Sequence, residues 1–513
     1  MLRPRFCRWF PALCLALLQW SHGAHLNAAT QPIRLSFEEL IRLSQENPPS
    51  PELAARLHTL LSTPIVINNR TSPAQAPKVL RVTEWNIERG ENLEGIQQAF
   101  AQPDDFLQQA QAETKPSAAN LARLRHQLKV LRQTDVLILN EVDIGVKRTR
   151  YRNVAEEMAR LLHMNLAYAV EFVEVDSLLD LGLEKPVLDT AEQTTRMTED
   201  LKPDPTQFRG LHVNAILSRY PLQDVHIIHL PVCHDWYKDE TQAISQLEQA
   251  KRKAADVAFL ERVSREVRRG NRNGLEATIQ VPGAAQPLTI VNLHLENKCK
   301  ASCRKTQMQT ALDFIKGASG PVLMGGDLNS TGSDGTPTSV RYELMRRFSD
   351  YQFWANTLLM VSPAGLPFYI TTPGNFWKNY RDPTARHVPI VARNNEAALF
   401  NTVKKFRFED GGRFDWRGLE SRNLEHSRKS LSDSNERATK GFVPTFALNR
   451  DFGGLLRYRL DWFFVKPAGT TGPRESQVFY PQMPITMNVL NTAEAVSLSD
   501  HAPIQVELPV ARQ

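Results

Sequence analysis

The residue types best suited to chemistry occur as two polar pairs, Asp327 with Asn329 and Asp500 with His501. A carboxylate beside a histidine can hold an attacking water molecule and stabilise charge at a phosphorus centre. The Asp-x-Asn spacing on an extended chain would place both side chains on one face. Asp327 could then serve the water while Asn329 binds the phosphoryl oxygens.

Further polar residues end or interrupt apolar, strand-like runs. They are Asn86 after 79–82, Glu141 and Asp143 at the end of 135–143, His294 within 288–296, and Asp461 within 458–465. An acid inside a strand of core-like composition is costly unless it is paired or bound to a ligand. Periodicity and composition alone therefore predict a β-rich hydrolase whose site is built from carboxylates, amides and histidines.

In their order along the chain, these segments resemble the endonuclease/exonuclease/phosphatase superfamily, which is DNase I-like. The stretch 210–221, which contains NAILSRYP, also resembles the central part of that family. The matching segments span roughly Lys78 to Leu508. The resemblance implies an α/β fold of four layers, in which two packed mixed β-sheets are flanked by helices.

The resemblance also implies a divalent cation, Mg²⁺ with Mn²⁺ or Ca²⁺ as alternatives. Glu141 and Asp500 would help to hold it, and Asp143 is the alternative to Glu141 at the end of that strand. Asn86 would contact the metal or the phosphate. Asn214 would bind phosphate, although an ordinary loop amide is an equal alternative. Mg²⁺ favours one or two carboxylates together with waters and substrate phosphate.

The catalytic roles are likewise those that the resemblance implies. His294 would contact the phosphate and either stabilise the developing charge or protonate the leaving group. Asp327 would orient or deprotonate the water, and Asn329 would bind the phosphoryl group. His501 would contact the phosphate, while Asp461 fixes its tautomer and orientation.

The N-terminus is typical of a secretory signal peptide. Arg3, Arg5 and Arg8 precede the apolar run 9–20, which is too short to span a membrane, and small residues follow it. A retained signal anchor is the alternative. We predict a signal peptide over 1–28, an N-terminal helical extension or linker over 29–77, and a catalytic domain over 78–510.

Composition limits the choice of partners. Hydrophobic residues make up 42% and charged residues 23% of the 513 residues, as in a soluble globular protein. Without the three arginines of the predicted signal peptide, the formal charge falls from +6 to +3. That value is weak evidence for nucleic-acid binding. The best basic patch, from Gln249 to Arg272, has the spacing of an amphipathic helix with a solvated basic face.

Three cysteines remain after the predicted signal peptide: Cys233, Cys299 and Cys303. An odd number in an exported protein permits one disulfide and one free thiol. Cys233 could pair with either of the others, and the sequence leaves the choice open. A zinc site is a further alternative, although a second cysteine pair of the usual spacing is missing.

The remaining segments have recognisable patterns. Helices are predicted at 38–43 and 51–57, from Ala119 onward, and over 151–163, and a strand over 166–175. The N-terminal helices would pack on the catalytic domain or form a flexible arm. A long insertion at about 331–455, rich in proline and aromatic residues, would carry much of the substrate specificity.

Together these features predict an exported, divalent-metal-dependent phosphoesterase of the periplasm or the extracellular space, more specifically a phosphodiesterase, with phosphomonoester hydrolysis as the alternative. Its substrate would be nucleic acid, a lipid head group or a small molecule, because a fold does not decide function. No stable membrane span is expected after signal removal. The alternative is a binding or structural protein that kept the fold and lost catalysis.

Overall fold

The computed structural model describes residues 33–175, 203–241, 267–330, 395–416, 434–438, 441–447, 457–468, 478–492 and 495–510. Three predictions lie wholly or largely outside these residues: the signal peptide, most of the basic helix, and much of the long insertion. In the described part of the chain, none of the helices is both long and apolar enough to cross a membrane.

The helices flank two sheets. They are α1 (Phe37–Gln45), α2 (Pro51–Ser62), α3 (Leu93–Ala101), α4 (Pro103–Thr114), α5 (Ala118–Leu131), α6 (Val154–Leu161), α7 (Trp236–Thr241), α8 (Ala301–Phe314) and α9 (Ala397–Lys405). The helix α1 begins at a capping box, in which Ser36 accepts from the Glu39 backbone and Glu39 accepts from the Ser36 backbone. The bounds of α1, α2, α5 and α6 confirm the helices predicted near residues 38, 51, 119 and 151.

The larger sheet has the strand order β1-β4-β5-β3-β2-β19-β16, and β7 also pairs with β4. Its strands are β1 (Ile65–Ile67), β2 (Val79–Arg89), β3 (Val136–Ile144), β4 (Asn165–Glu174), β5 (Leu211–Ser218), β7 (Arg268–Gly270), β16 (Gln482–Thr486) and β19 (Ile504–Pro509). β2 and β3 run parallel because the three helices α3, α4 and α5 carry the chain back between them.

The smaller sheet has the order β15-β10-β9-β8-β6. Its strands are β6 (Gln223–His229), β8 (Asn273–Ile279), β9 (Leu288–Leu293), β10 (Val322–Asp327) and β15 (Asp461–Lys466). β9 and β10 are parallel and are joined through α8. Six short strands form three two-stranded ribbons: β11 (Arg437–Ala438) pairs with β12 (Gly441–Phe442), β13 (Phe446–Ala447) with β14 (Arg457–Tyr458), and β17 (Asn491–Thr492) with β18 (Val496–Ser497).

Three apolar cores hold four layers together. The central core lies between the sheets and includes Leu80, Val82, Val136, Ile138, Leu275, Ile290, Leu323 and Phe463. A second core packs α1 to α6 on the outer face of the larger sheet, and a third packs α8 and α9 on the smaller sheet. The predicted four-layer α/β sandwich of two mixed sheets flanked by helices is confirmed.

The N-terminal extension packs on this sandwich. Leu40, Leu43, Leu53 and Leu60 of α1 and α2 are buried in the core on the outer face of the larger sheet. β1 continues the extension by pairing with β4 at the edge of that sheet. Of the two alternatives left open by the sequence, the packed extension is the one that the structure has.

The predicted basic helix is wrong at its C-terminal end, because residues 268–270 form β7 on the edge of β4. Arg268 and Arg272 are buried there and do not lie on a solvated face. The guanidinium carbon of Arg268 lies 3.6 Å from the ring centroid of Trp236 and 4.2 Å from that of Phe172. Burial against aromatic rings thus replaces the solvated face that helical spacing predicted.

The cysteine pairing is also resolved. Cys233 and Cys303 form a disulfide with a sequence separation of 70 residues, and Cys299 is a buried free thiol. The disulfide joins the segment before α7 to the first turn of α8. Burial raises the pKa of the Cys299 thiol to about 12, so this thiol stays protonated and unreactive.

Gly326 permits the close approach of β9 and β10. Its φ is +145°, and a Cβ atom at this position would lie 1.9 Å from the carbonyl oxygen of Leu293. Both backbones would have to move apart, directly beside the residues that follow Leu293 and Gly326 in the chain. The sequence motif around Gly326 therefore has a packing reason as well as a chemical one.

We expect Gly326→Ala to lower the free energy of unfolding by on the order of 3 kcal/mol, because inserted volume in a packed interior strains the backbone. Urea denaturation measures this change, provided that the m-value is unaltered. Gly411→Ala is the matched control, since Gly411 also has a positive φ, of +80°, but nothing lies within 4 Å of its added Cβ. Equal losses in both variants would refute the steric argument.

Candidate active site

One edge of the sandwich gathers the polar residues. The parallel strands β2, β3, β9 and β10 end at this edge, and the antiparallel strands β15 and β19 begin there. The strand ends deliver Asn86, Glu141, His294, Asp327, Asp461, Asp500 and His501 to this edge. Chain direction and register thus bring together residues that are up to 415 positions apart in sequence.

Irregular backbone at the strand ends directs these side chains. The register of β2 against β3 shifts between Asn86 and Arg89, and that of β3 against β5 shifts between Leu139 and Val142. Glu88 and Glu141 lie in these shifts with positive φ angles of 47° and 51°. Bulges of this kind turn a side chain away from simple alternation and are common beside active sites.

Asp327 lies at the centre of the site and is buried. One carboxylate oxygen accepts from the backbone of Asn329 at 2.8 Å, and the other accepts from the Asn86 amide at 3.2 Å. The second oxygen also lies 3.8 Å from Nε2 of His294 and 3.9 Å from Nε2 of His501. Burial raises the pKa of Asp327, and Asp461 adds to this, although both histidines oppose it. A raised pKa suits a carboxylate that must take a proton.

His501 and Asp461 form a buried pair. Nδ1 of His501 lies 2.9 Å and 3.0 Å from the two carboxylate oxygens of Asp461. Burial opposes the charge of His501, but Asp461, Asp500 and Asp327 raise its pKa well above the ordinary value. The ring of Phe446 packs edge-on at 5.0 Å. His501 is therefore held as an imidazolium whose Nε2 proton faces the site.

His294 is completely buried and has two charged neighbours at the same ring nitrogen. Its Nδ1 lies 2.8 Å from a terminal nitrogen of Arg272 and 3.1 Å from a carboxylate oxygen of Glu171. Arg272 and Glu171 also pair with each other at 3.1 Å. These two residues fix the orientation of the His294 ring and direct Nε2 towards Asp327.

Three further carboxylates belong to the strand ends at this edge: Glu88, Glu141 and Asp500. A carboxylate oxygen of Glu88 accepts from the backbone of Asp500 at 3.0 Å. Burial, together with the charges of Asp500 and Glu91, raises the pKa of Glu88 to about 8. Glu141 lies 3.9 Å from Nε2 of His294, and its side chain is 28% exposed. Glu88 lies beside Asp500, and Glu141 lies near His294; each offers the kind of oxygen ligand that a hard divalent cation prefers.

Glu141 differs from its neighbours because it stays charged. Burial opposes its charge, but the His294 ring and the guanidinium groups of Arg89 and Arg272 hold its pKa far below the ordinary value. Glu88, in contrast, shares its surroundings with other acids. A cation beside Glu88 and Asp500 would relieve that repulsion, and oxygen donors of this kind suit a divalent metal.

A second candidate metal-binding group overlaps with the residues that the sequence predicts to be catalytic. Within the described ranges, Asp327, Asp461 and His501 each bring one possible ligand atom within 4.8 Å of the others. The carboxylate of Asp461, however, already accepts from Nδ1 of His501. This group is therefore better suited to proton transfer than to holding an ion.

Asp143, the alternative to Glu141, lies in a separate ion cluster. Its carboxylate contacts Nδ1 of His212 at 3.0 Å and Nε of Arg148 at 2.7 Å. Nε2 of His212 lies 3.1 Å from Glu174. Burial opposes the charge of His212, but the two acids raise its pKa. Asp143 is thus committed to protein partners, whereas Glu141 faces the site.

An amide network joins the two sheets behind Asp327. The Asn140 amide donates to Asn214 at 2.7 Å and to Asn292 at 2.8 Å, while its oxygen accepts from the Asp327 backbone at 2.9 Å. Asn292 donates to the carbonyls of Leu139 and Ala215. Because every amide in this network has protein partners, the backbone of Asp327 is held in one position.

Asn214 is part of this amide network. Its amide nitrogen donates to Glu171 at 2.9 Å and its oxygen accepts from Asn140. Both ends of the amide therefore have protein partners, and the amide supports Glu171; its predicted contact with phosphate stays a prediction.

The extended Asp-x-Asn geometry is also corrected. β10 ends at Asp327, and Asn329 has a φ of +46°. The chain turns because the backbone of Asn329 donates to the Asp327 carboxylate, as in an Asx turn. The Asn329 amide then donates to the carbonyl of Leu295 at 3.0 Å. Its predicted contact with a phosphoryl group would have to come from the remaining amide atoms.

The sequence interpretation missed three residues of the site: Glu88, Glu171 and Arg272. A signal for Glu171 was available, because it is an acid within the apolar strand β4, the same pattern that identified Asp461. Arg272 was interpreted as part of a basic helix. Glu88 lies within the Asn86 segment, but its role depends on a bulge that alternation does not reveal.

A known protein family matches the part of the chain that contains these residues. The profile of the Endonuclease/Exonuclease/phosphatase family matches residues 84–501. This range begins two residues before Asn86 and ends at His501, so it contains every residue of the site. No curated protein matches the chain.

Solved structures of low sequence identity also match this chain. An endonuclease/exonuclease/phosphatase from Beutenbergia cavernae is 14% identical, covers 85% of this chain and 72% of its own, and has a TM-score of 0.37. A 3'-5' exonuclease (NExo) from Neisseria meningitidis is 15% identical, with coverages of 84% and 99% and a TM-score of 0.34. TDP2 from D. rerio, complexed with a single-strand DNA product, is 15% identical, with coverages of 84% and 99% and a TM-score of 0.30.

Proposed function

Because the chain belongs to the endonuclease/exonuclease/phosphatase family, we propose that this phosphoester-hydrolysing enzyme acts on phosphodiesters with the help of a divalent metal. The observation that carries the proposal is the arrangement of Asp327 between two buried histidines, His294 and His501. A binding protein that had lost catalysis would not need a base, an imidazolium and a carboxylate cluster at one edge.

Each of these residues would have a separate role in the attack of water on phosphorus. Asp327, whose pKa is raised by burial, would accept a proton from the water. His501, an imidazolium held by Asp461, would neutralise charge that develops on the phosphoryl oxygens. Asn86 would hold Asp327 and contact the same phosphate. Water attack on phosphorus, with charge stabilised from both sides, follows from this placement.

A divalent cation, Mg²⁺ or alternatively Mn²⁺ or Ca²⁺, would be held by Glu141, Asp500 and Glu88. When bound, it would supply Lewis-acid polarisation of the phosphoryl oxygen. The raised pKa of Glu88 supports this assignment, since adjacent carboxylates are costly without a cation between them.

The substrate class includes nucleic acid, lipid head groups and small phosphodiesters. Export to the periplasm or the extracellular space is part of the proposal. It is supported by the basic and apolar pattern over 1–28. The disulfide between Cys233 and Cys303 also supports it, because such bonds persist in oxidising compartments.

Two assays test the proposal on the mature protein with Mg²⁺. One follows nicking of supercoiled plasmid, and the other follows release of nitrophenol from bis(p-nitrophenyl) phosphate. Hydrolysis of either substrate by the wild type, and not by Asp327→Asn, supports a phosphodiesterase. Nicking favours nucleic acid, whereas hydrolysis of the small diester alone favours a head group or a small molecule. Inactivity in both assays, and on a panel of lipid and inositol phosphoesters, would refute the proposal.

The affinity for Mg²⁺ should rise with pH up to about pH 8. Glu88 is protonated below its raised pKa of about 8, so a bound cation must displace that proton. We expect Kd to fall by up to about tenfold per pH unit between about pH 6 and pH 8, then to level off. Calorimetry in two buffers of different ionisation enthalpy measures both Kd and the proton released.

Glu88→Gln is the control for this titration. The glutamine carries no proton to displace, so its weaker Mg²⁺ binding should change little over the same pH range. A wild-type affinity that is constant from about pH 6 to pH 9 would contradict the assignment of Glu88 to the metal.

A further inference from the structure

A cavity of about 770 Å³ lies between α5, the ribbon of β13 and β14, and the strand β16. The described residues that line it include none of the predicted catalytic, phosphate-binding or metal-binding residues. Cavities of roughly this size hold small molecules in many proteins. The cavity therefore needs an account of its own, separate from the residues around Asp327.

One wall of the cavity also contacts the segment that carries His501. Phe446 lines the cavity, and its ring centroid lies 5.0 Å from that of His501. The carbonyl of Asp500 accepts from the backbone of Ala447 at 3.0 Å and from the amide of Asn491 at 3.1 Å. Ala447 and Asn491 both line the cavity. A ligand against Phe446 would thus be separated from His501 by a single side chain.

The charges around the cavity favour an anion. Arg123 of α5 and Arg457 of β14 line it, and Glu436 is the single acid among its described lining residues. The Glu436 side chain accepts from the Thr486 backbone at 2.6 Å. Arg123 is exposed, and one of its terminal nitrogens donates to the Asn488 amide at 2.8 Å. A guanidinium group has five N–H donors, so donors remain for an anionic group.

The rest of the lining combines apolar surface with amides. Val443, Pro444 and Ile485 line the cavity and are half-buried. The oxygen of Asn488 accepts from Arg123 and from Gln127, and neither contact uses its NH₂ group. An inorganic anion alone would leave the apolar wall in water, and an acyl chain would cover the amide without a hydrogen bond. A flat ring with a polar edge suits both kinds of surface.

We propose that this cavity binds a nucleoside monophosphate, with its phosphate at Arg123 and its base against the apolar wall. The phosphate brings the charge that suits the guanidinium donors. The base brings apolar faces for Val443, Pro444 and Ile485 and a polar edge for Asn488. Because the site lies outside the residues of the proposed chemistry, it does not rest on the proposed function.

Calorimetry of the full mature chain without metal tests the ligand class. Adenosine 5′-monophosphate (AMP), adenosine and inorganic phosphate are titrated separately, and AMP should bind at least tenfold more tightly than either of its parts. Decyl phosphate, which joins the same charged group to an alkyl chain, should also bind at least tenfold more weakly than AMP. The proposal is overturned if AMP does not bind, or if inorganic phosphate or decyl phosphate binds as tightly.

Two variants of the lining locate the bound AMP. Arg123→Gln should weaken AMP binding by about tenfold, since a charge-assisted hydrogen bond is lost, and should leave adenosine binding unchanged. Ile485→Ala should weaken the binding of AMP and adenosine alike. Arg125→Gln is the matched control, because Arg125 is also exposed on α5 but points to another face and does not line the cavity. Equal AMP affinities in Arg123→Gln and Arg125→Gln would refute the assignment.

Asp327→Asn separates this cavity from the catalytic edge. AMP bound beside Asp327 would respond to the loss of that carboxylate charge, whereas AMP in the cavity should bind with unchanged affinity. A larger change in Asp327→Asn than in Arg123→Gln would overturn the proposal. The titrations involve no turnover, so they decide the question even if the protein hydrolyses none of the phosphodiesters tested.

Discussion

Replacing Asp327 with asparagine should lower kcat by about 10²- to 10⁴-fold and leave KM nearly unchanged, because general-base catalysis contributes that much. An asparagine has the same shape but cannot take a proton from water. It also places an amide N–H₂ group where the wild-type carboxylate accepts from Asn86. Initial rates on the phosphodiester that the wild type hydrolyses measure the effect, and thermal unfolding checks that the variant is folded.

Asp104→Asn is the control for Asp327→Asn. Asp104 is an exposed residue in the first turn of α4, and its replacement should leave kcat unchanged. If Asp327→Asn kept the wild-type kcat on every phosphodiester that the wild type hydrolyses, Asp327 would not be the base.

The pH dependence of kcat is a second test of Asp327 as the general base. A general base must be deprotonated, and burial raises the pKa of Asp327 above the ordinary value of 3.8. The acid limb of kcat should therefore lie at a higher pH than it would for an exposed aspartate. The limb should also disappear from the residual activity of Asp327→Asn.

The sequence could predict the fold because each catalytic segment follows or begins a strand. Asp327 ends β10, and Asp461 begins its antiparallel partner β15 directly opposite. The polar residue at the end of an apolar run marks the edge of the sheet. Six such segments in one order predicted the edge at which the site lies, and their resemblance to the family implied the four-layer sandwich.

The supporting residues were harder to predict because their roles depend on contacts between sheets. Asn140 and Asn292 are amides inside apolar strands, and their hydrogen bonds join strands that are 152 residues apart. Periodicity shows that such amides are buried, but it does not show their partners. Arg272 is a stronger example, since helical spacing suggested a solvated face and the fold buries it against His294.

Glu84 shows a further limit of sequence reasoning. It lies two residues before Asn86 on β2 and is fully buried, and neither carboxylate oxygen has a hydrogen-bond partner among the described residues. Burial raises its pKa well above the ordinary value, and Asp461 and Asp327 add to this effect. A neutral acid next to these two carboxylates adds no charge to the site. The sequence shows an acid in a strand but not its protonation state.

Disrupting the pair of His501 and Asp461 should lower kcat nearly as much as replacing Asp327. We expect Asp461→Asn to lower kcat by about 10²- to 10³-fold, because the carboxylate that orients Nδ1 and stabilises the imidazolium is removed. Asp461 is also the largest influence that raises the pKa of His501 against the effect of burial. Without it, His501 should lose its proton at a lower pH, so the alkaline limb of kcat should move to lower pH.

A double-variant cycle tests whether the two residues act as one unit. His501→Ala alone should cost about as much as His501→Ala combined with Asp461→Asn, since the aspartate acts only through the histidine. The aspartate lies within 3.0 Å of Nδ1 of His501. The backbone of Asp461 also donates to the Thr445 hydroxyl, and the asparagine variant keeps this hydrogen bond. Losses that add on a logarithmic scale would instead mean that Asp461 acts on the reaction independently, for instance as a ligand of a metal that it shares with Asp327.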